Sequence, residues 1–248
     1  MTKAITTLEK MNIPIIRNEI AWTKLKAREF KWLATHRCQK HNKRYVVHPG
    51  CYIKEYPEKA AEWIGFLDIE ATNLHSAEFG YILSYCILSD SEDERLYSYC
   101  LKQEEIASFQ FDKNLIKQFI KDIANFDRLI VYWGSDRRFD IPFLRSRALA
   151  WNLDFPGYRE LFLQDLYDIV KSKLRLHRNR LETVAVFLGV KKKYIKKHRL
   201  DGKRWCRAQA GDAKSLEWIY LHNKEDVYCL REVYKKLMAF SANQNKSI

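Results

Sequence analysis

The chain is short of acidic residues, of long apolar runs and of repetition. Asp plus Glu number 31 against 44 Lys plus Arg in 248 residues, a formal net charge of +13. A surplus of that size favours a polyanionic partner, and nucleic acid leads because neutralising phosphates releases counterions. A basic but otherwise ordinary enzyme shows the same arithmetic. No apolar run approaches the roughly 18 to 20 residues that cross a bilayer, and no signal-like apolar segment follows a basic N-terminus. A soluble protein with no membrane partner is therefore expected. The six cysteines, at 38, 51, 86, 100, 206 and 229, are thinly spread. That argues against a disulfide framework and for a reducing intracellular setting, cytoplasmic or nucleoid-associated. There is no internal repeat and no low-complexity tract, so a solenoid or a polar disordered tract is not indicated.

What remains is a globular composition, 47% apolar, in a chain long enough to bury a substantial core. It divides by character into a basic N-terminal region, 1–56, a main domain, 57–240, and a tail, 241–248. The spacing of Trp22, Leu25, Phe30, Trp32 and Leu33 among bases predicts a helix over 21–36. After it come two x-x-spaced pairs, Cys38/His41 and His48/Cys51, with Pro49-Gly50 supplying turn chemistry. Together they have the donor set of a tetrahedral Cys2His2 site for one structural Zn2+, a useful staple in a region too small to bury much core. Two unrelated pairs in a basic loop are the alternative.

Residues 62–74, EWIGFLDIEATNL, read as a strand covered on both faces, with Ile64, Phe66, Leu67 and Ile69 nearly continuous. Residues two apart on a strand share a face, so Asp68 and Glu70 project side by side at its carboxyl end. A divalent cation between them offsets their mutual repulsion, and oxygen ligands suit Mg2+ or Mn2+. Read alone, the pair is better taken as a strand end whose acids reach water. The aromatic and β-branched runs 79–88 and 96–101 continue from it as an antiparallel meander. A helix follows over 113–126 and a short apolar strand over 129–133, the order of a mixed α/β sheet with a crossover returning the fourth strand parallel to the first.

That strand runs into GSDRRFDIPFL, where Pro142 suits the first turn of a helix over 141–151 and Asp140 lies just before it, as a cap or as a site residue. Residues 158–170 are apolar with alternating acids, and Asp165 and Asp168 are placed to cap or to face solvent. From 171 to 207 the chain is strongly basic, with Tyr194, His198 and Trp205 interleaved. Phosphates are held by Lys and Arg while bases stack on aromatic faces, so Lys191, Lys192, Lys193, Lys196, Lys197 and Arg199 are the candidate nucleic-acid contacts. The last long helix, predicted over 213–238, places His222 and Asp226 one turn apart on one face.

Each acid alone is weak evidence; their order and element types together are specific. The segments FLDIEATNL, YWGSDRRFDIPFL and LHNKEDV resemble the three motifs of the DEDD 3′-to-5′ exonucleases of the ribonuclease H-like superfamily, the second being similar to that of family B polymerase proofreading domains and their stand-alone relatives. The resemblance spans about 60–238. It implies a ribonuclease H-like mixed five-stranded sheet flanked by helices, with the N-terminal region as an appendage. It also implies hydrolysis of phosphodiesters at a 3′ end of single-stranded or frayed DNA, with RNA as a second substrate, using two Mg2+ or Mn2+. On that resemblance Asp68, Glu70 and Asp226 hold one metal, Asp68 bridges to the second, Asp140 supports the second, and His222 orients or deprotonates the attacking water. Two cations about 3.5–4 Å apart suit that reaction, activating water and stabilising the leaving oxygen.

Two departures stand out. The family has a Tyr four residues before its last Asp or a His five before it, whereas His222 lies four before Asp226. The Asn usual before Phe-Asp is replaced by Ser, Asp and Arg, which puts Arg137 and Arg138 forward as phosphate contacts. A structure-specific endonuclease on the same fold and a non-catalytic nucleic-acid-binding protein are the alternatives.

Overall fold

A computed structural model of the chain describes residues 13, 15–16, 19–20, 22, 25, 27–56, 63–91, 94–158, 160–195, 197–199, 201–240 and 246–247. The chain forms two compact units, 1–62 and 63–248. Among the described residues no helix is long and apolar enough to cross a membrane.

In the first unit, strands β1 (Ile15–Ile16) and β2 (Glu19–Ile20) pair antiparallel, and helices α1 (Ala27–Thr35) and α2 (Pro49–Glu55) follow. α1 is shorter than the helix predicted over 21–36: Trp22 and Leu25 precede it, and residues 21, 23, 24 and 26 lie outside the described set. Pro49 opens α2, where its missing N–H costs nothing. A small core gathers Ile13, Ile20, Leu33, Cys38, Tyr45, Cys51 and Tyr52. Trp32 stacks on Tyr45 and meets Tyr52 edge-on. Aromatic rings bury much area per residue, which is how so short a unit acquires a core.

The second unit is built on a mixed sheet of five main strands: β3 (Ile64–Ala71), β4 (Ile82–Ser89), β5 (Leu96–Cys100), β6 (Arg128–Val131) and β7 (Phe162–Asp165). Helices α3 (Gln103–Ala107) and α4 (Lys113–Ile123) lie between β5 and β6, and α5 (Asp140–Ala150) lies between β6 and β7. After β7 come α6 (Leu166–Lys173), α7 (Leu181–Phe187), a 3-10 turn (Lys192–Tyr194), α8 (Gly202–Gln209) and the long α9 (Ala213–Leu237). A two-residue strand, β8 (Lys246–Ser247), adds to the β7 edge, giving the spatial order β5-β4-β3-β6-β7-β8. β3, β4 and β5 form the antiparallel meander, and β3, β6 and β7 run parallel.

Alternation along β3 sorts its side chains. Leu67, Ile69 and Ala71 enter the core that Leu115, Ile116 and Phe119 of α4 and Ile141 and Leu144 of α5 complete. Phe66 enters the opposite core, with Leu166, Val184, Val227, Leu230 and Val233 from α6, α7 and α9. Asp68 and Glu70 share the side of Phe66, and so face the layer that contains α9. The stretch 158–170 has no break of its own: it passes directly from β7 into α6 at Asp165, whose carboxylate caps the helix through the Tyr167 N–H.

Candidate active site

Three chain segments meet at the carboxyl ends of the parallel strands, where crevices in open α/β sheets take ligands. The first is β3 itself. Asp68 pairs across to Cys86 and Glu70 to Ser84, and the β3–β4 register shifts immediately after Glu70. Such an irregularity re-aims side chains next to a site.

The second segment leaves β6. Trp133 sits at φ +63°, an uncommon conformation for a bulky residue, and is held there by its N–H donating to Asp165 Oδ1 at 2.9 Å. The same buried carboxylate accepts from the Ser135 N–H at 3.1 Å and from Arg138 at 2.7 Å, so the end of β7 pins residues 133–138. Gly134 follows because nothing larger fits: a Cβ there would stand 2.1 Å from Asp140 Oδ2. The Ile141 N–H closes the turn on the Gly134 carbonyl at 3.0 Å, and Asp140 becomes the first residue of α5, one position later in role than its expected place just ahead of the helix.

The third segment is α9. His222, Asn223 and Asp226 lie on its buried stripe with Ile219, Val227 and Leu230. His222 Nδ1 meets the carbonyl of His198. A carbonyl only accepts, so Nδ1 carries a proton and Nε2 points into the site, 3.5 Å from Glu70 Oε1 and 3.8 Å from Asp226 Oδ2. Trp218 stacks on the ring at 5.9 Å. The loop that supplies the carbonyl is itself tied to α9. Glu225 accepts from the N–H groups of Lys197 and His198 at 2.8 and 3.0 Å and meets the His198 ring at 2.8 Å. Burial pushes Glu225 up, but these bonds outweigh it and hold the carboxyl below its ordinary range. On the strand side, Asn223 Nδ2 donates to Asp68 Oδ2 at 2.7 Å.

Asp68, Glu70, Asp140, His222 and Asp226 thus line one cavity of about 470 Å³, together with Trp133 and Trp205. Its chemistry asks for a cation. Asp140 is 4% exposed, and its Oδ2 is buried with no hydrogen-bond partner. Burial, followed by the charges of Asp68, Asp165 and Asp226, pushes its carboxyl well above the usual carboxylate range. Glu70, His222 and Asp226 offer ligand atoms that all lie within 4.8 Å of one another. Hard carboxylate oxygens, one of them left unsatisfied, fit a divalent cation.

A family model described as the RNase_H superfamily matches residues 65–238. The chain belongs to the RNase H superfamily. The match covers β3 through α9 and leaves out the first unit. A DNA polymerase of Archaeoglobus fulgidus is 32% identical over 103 residues, 36% of this chain and 13% of the polymerase, so the chain corresponds to a small part of that protein's length.

In this RNase H superfamily domain the expected basic contacts divide. Arg137 is exposed at the loop surface. Arg138 is engaged by the protein: its guanidinium pairs with Asp165 and Asp168 and lies 4.4 Å over the Tyr167 ring, which makes it part of the loop's framework. Lys191, Lys192, Lys193, Lys197 and Arg199 are exposed; Arg199 is 3.9 Å from Glu182, and Lys196 lies outside the described residues. The residues that the motifs did not single out are Asn223, Asp165, Glu225 and Gly134.

In the first unit, Cys38, His41, His48 and Cys51 also converge, their ligand atoms within 4.8 Å of one another. The pairing crosses between the two x-x motifs: Cys38 Sγ is 3.6 Å from His48 Nδ1, and His41 Nδ1 is 3.2 Å from Cys51 Sγ. Burial pushes the Cys38 thiol up, but His48, the backbone around the turn and Cys51 together bring it down to about 7.

Proposed function

We propose that this domain is a metal-dependent 3′-to-5′ exonuclease that releases nucleotides from single-stranded or frayed DNA, with RNA as a second substrate. The observation that carries the reading is the convergence of Asp68, Glu70, Asp140, His222 and Asp226, from three separate segments, on one cavity, with the buried Asp140 Oδ2 left without a hydrogen-bond partner. The similarity to a DNA polymerase, the net charge of +13 and the exposed lysines at 191–193 support a nucleic-acid substrate. A volume of about 470 Å³ is on the scale of a small-ligand pocket, which suits a single nucleotide rather than a duplex.

On this reading Asp68, Glu70, Asp140 and Asp226 would hold two Mg2+ or Mn2+, and bound cations supply Lewis-acid stabilisation of the phosphate and acidify water. The chain's own part is positional and protonic. Asn223 fixes the Asp68 carboxylate from α9, and the Asp165-pinned loop sets Asp140. His222, oriented through Nδ1, takes the proton of the attacking water on Nε2. That contribution is typically about 10²- to 10⁴-fold in rate. Trp133, nearly half exposed at the cavity edge, offers a stacking face for the terminal base. Arg137 and the lysines at 191–193 supply phosphate contacts.

The test uses an oligonucleotide blocked at one end or the other, incubated with the protein and Mn2+. Digestion that stops with a 3′ block and continues with a 5′ block supports the reading. Internal cuts indifferent to both blocks favour an endonuclease, and tight salt-dependent binding without turnover favours a binding protein.

A further inference from the structure

The Cys/His cluster lies in the first unit, and nothing in the nuclease reading uses it. We infer that Cys38, His41, His48 and Cys51 form a closed structural zinc site that holds the N-terminal unit together. Zn–S bonds of about 2.3 Å and Zn–N bonds of about 2.0–2.1 Å set the S···N edges of a tetrahedral site at about 3.6 Å. The two cross-pairs are 3.6 and 3.2 Å, so the donors already stand close to the edges of that tetrahedron. Both histidines turn Nδ1 inward, and their rings meet edge-on at 4.8 Å. The two thiols are buried members of the unit's small core, while His41 is exposed.

The backbone is shaped for the site. The Asn42 N–H closes a turn on the Cys38 carbonyl at 3.0 Å, with Asn42 at φ +49°, a left-handed position that Asn tolerates. The Cys51 N–H bonds the His48 carbonyl at 3.2 Å, making the second knuckle at the start of α2. Glu55 joins the two halves, accepting from the Gln39 N–H at 3.1 Å and from the Tyr45 hydroxyl at 2.6 Å. Two thiolates with two imidazoles select Zn2+ over the harder cations suited to the carboxylate cavity. Four protein ligands leave no position for substrate, so the site is structural rather than catalytic. Loading exchanges the two thiol protons for one Zn2+, and the protons leave to solvent.

The test is the zinc content of the full chain, purified without chelators and measured by elemental mass spectrometry. One zinc per chain is expected, retained through gel filtration and lost from a Cys38→Ser/Cys51→Ser double variant. Asp68→Asn should keep its zinc, which separates this site from the carboxylate cavity. Because the double variant could unfold the unit, wild-type protein reconstituted with Co2+ gives a second reading: the visible and sulfur-to-metal absorption bands of a tetrahedral thiolate site. Zinc well below one per chain with no such bands would overturn the inference, as would zinc content unchanged in the double variant. A Cys38–Cys51 disulfide in freshly purified, metal-free protein would overturn it too.

Discussion

His222 presents Nε2 3.5 Å from Glu70 and 3.8 Å from Asp226 while the carbonyl of His198 holds its Nδ1. A strand, a helix and a loop thus agree on where one imidazole nitrogen points. His222→Ala should lower kcat by about 10²- to 10⁴-fold. Its far-ultraviolet spectrum should stay that of the wild type. A rate within about threefold of wild type would remove His222 from the proton-transfer role.

Gly134 and Asp140 occupy the same small space. A Cβ at 134 would lie 2.1 Å from Asp140 Oδ2, so Gly134→Ala must move either the loop or the carboxylate. The expected cost is about 1–3 kcal/mol of stability, with activity lost out of proportion because the displaced group lies in the cavity. Urea titration and initial rates measure the two effects; full activity in the variant would mean that Asp140 can move without consequence.

Asp140 also predicts a pH dependence. Burial first, then the charges of Asp68, Asp165 and Asp226, raise its pKa in the metal-free protein. A carboxyl raised in the folded state contributes stability that is complete below its unfolded value, about 3.9, and is lost as pH climbs through the folded one. Its ionisation should therefore subtract progressively from the stability of the metal-free protein from about pH 4 upward. Asp140→Asn should flatten that decline and raise Tm at neutral pH. Parallel wild-type and variant profiles would show that Asp140 does not ionise against its neighbours.

Away from the cavity, Asp112 is fully buried and joins β4, α4 and α5. It accepts from the Ile82 N–H at 3.0 Å, from Arg147 at 2.7 and 2.8 Å, and from the Trp151 ring N–H at 2.8 Å. Removing one partner leaves the other buried charge uncompensated, so Asp112→Ala should cost about 3–5 kcal/mol in denaturant titration. A loss below about 1 kcal/mol would mean that water replaces the carboxylate.

The strand that bears Asp68 and Glu70 is legible in the sequence because apolar residues surround two acids. The stripe of α9 is legible because Ile219, Val227 and Leu230 repeat at helical spacing. That same stripe could have revealed Asn223, a polar residue in register with His222 and Asp226. The order of elements gives the first four strands of the mixed sheet, and only the family resemblance implies a fifth: the four residues of β7 run into α6 with neither Gly nor Pro between them. The role of Asp165 depends on N–H groups some thirty residues earlier in the chain, a relationship that exists only once β6 and β7 pair. Nor does the motif GSDRRFDIPFL by itself separate Arg138, used internally, from Arg137, which is exposed.

The most direct test of the central claim follows a 5′-labelled single strand incubated with Mn2+ and either wild-type protein or Asp68→Asn. The wild type should give a ladder shortening one nucleotide at a time from the 3′ end, and the variant should give none. A ladder from Asp68→Asn equal to that of the wild type would contradict the account.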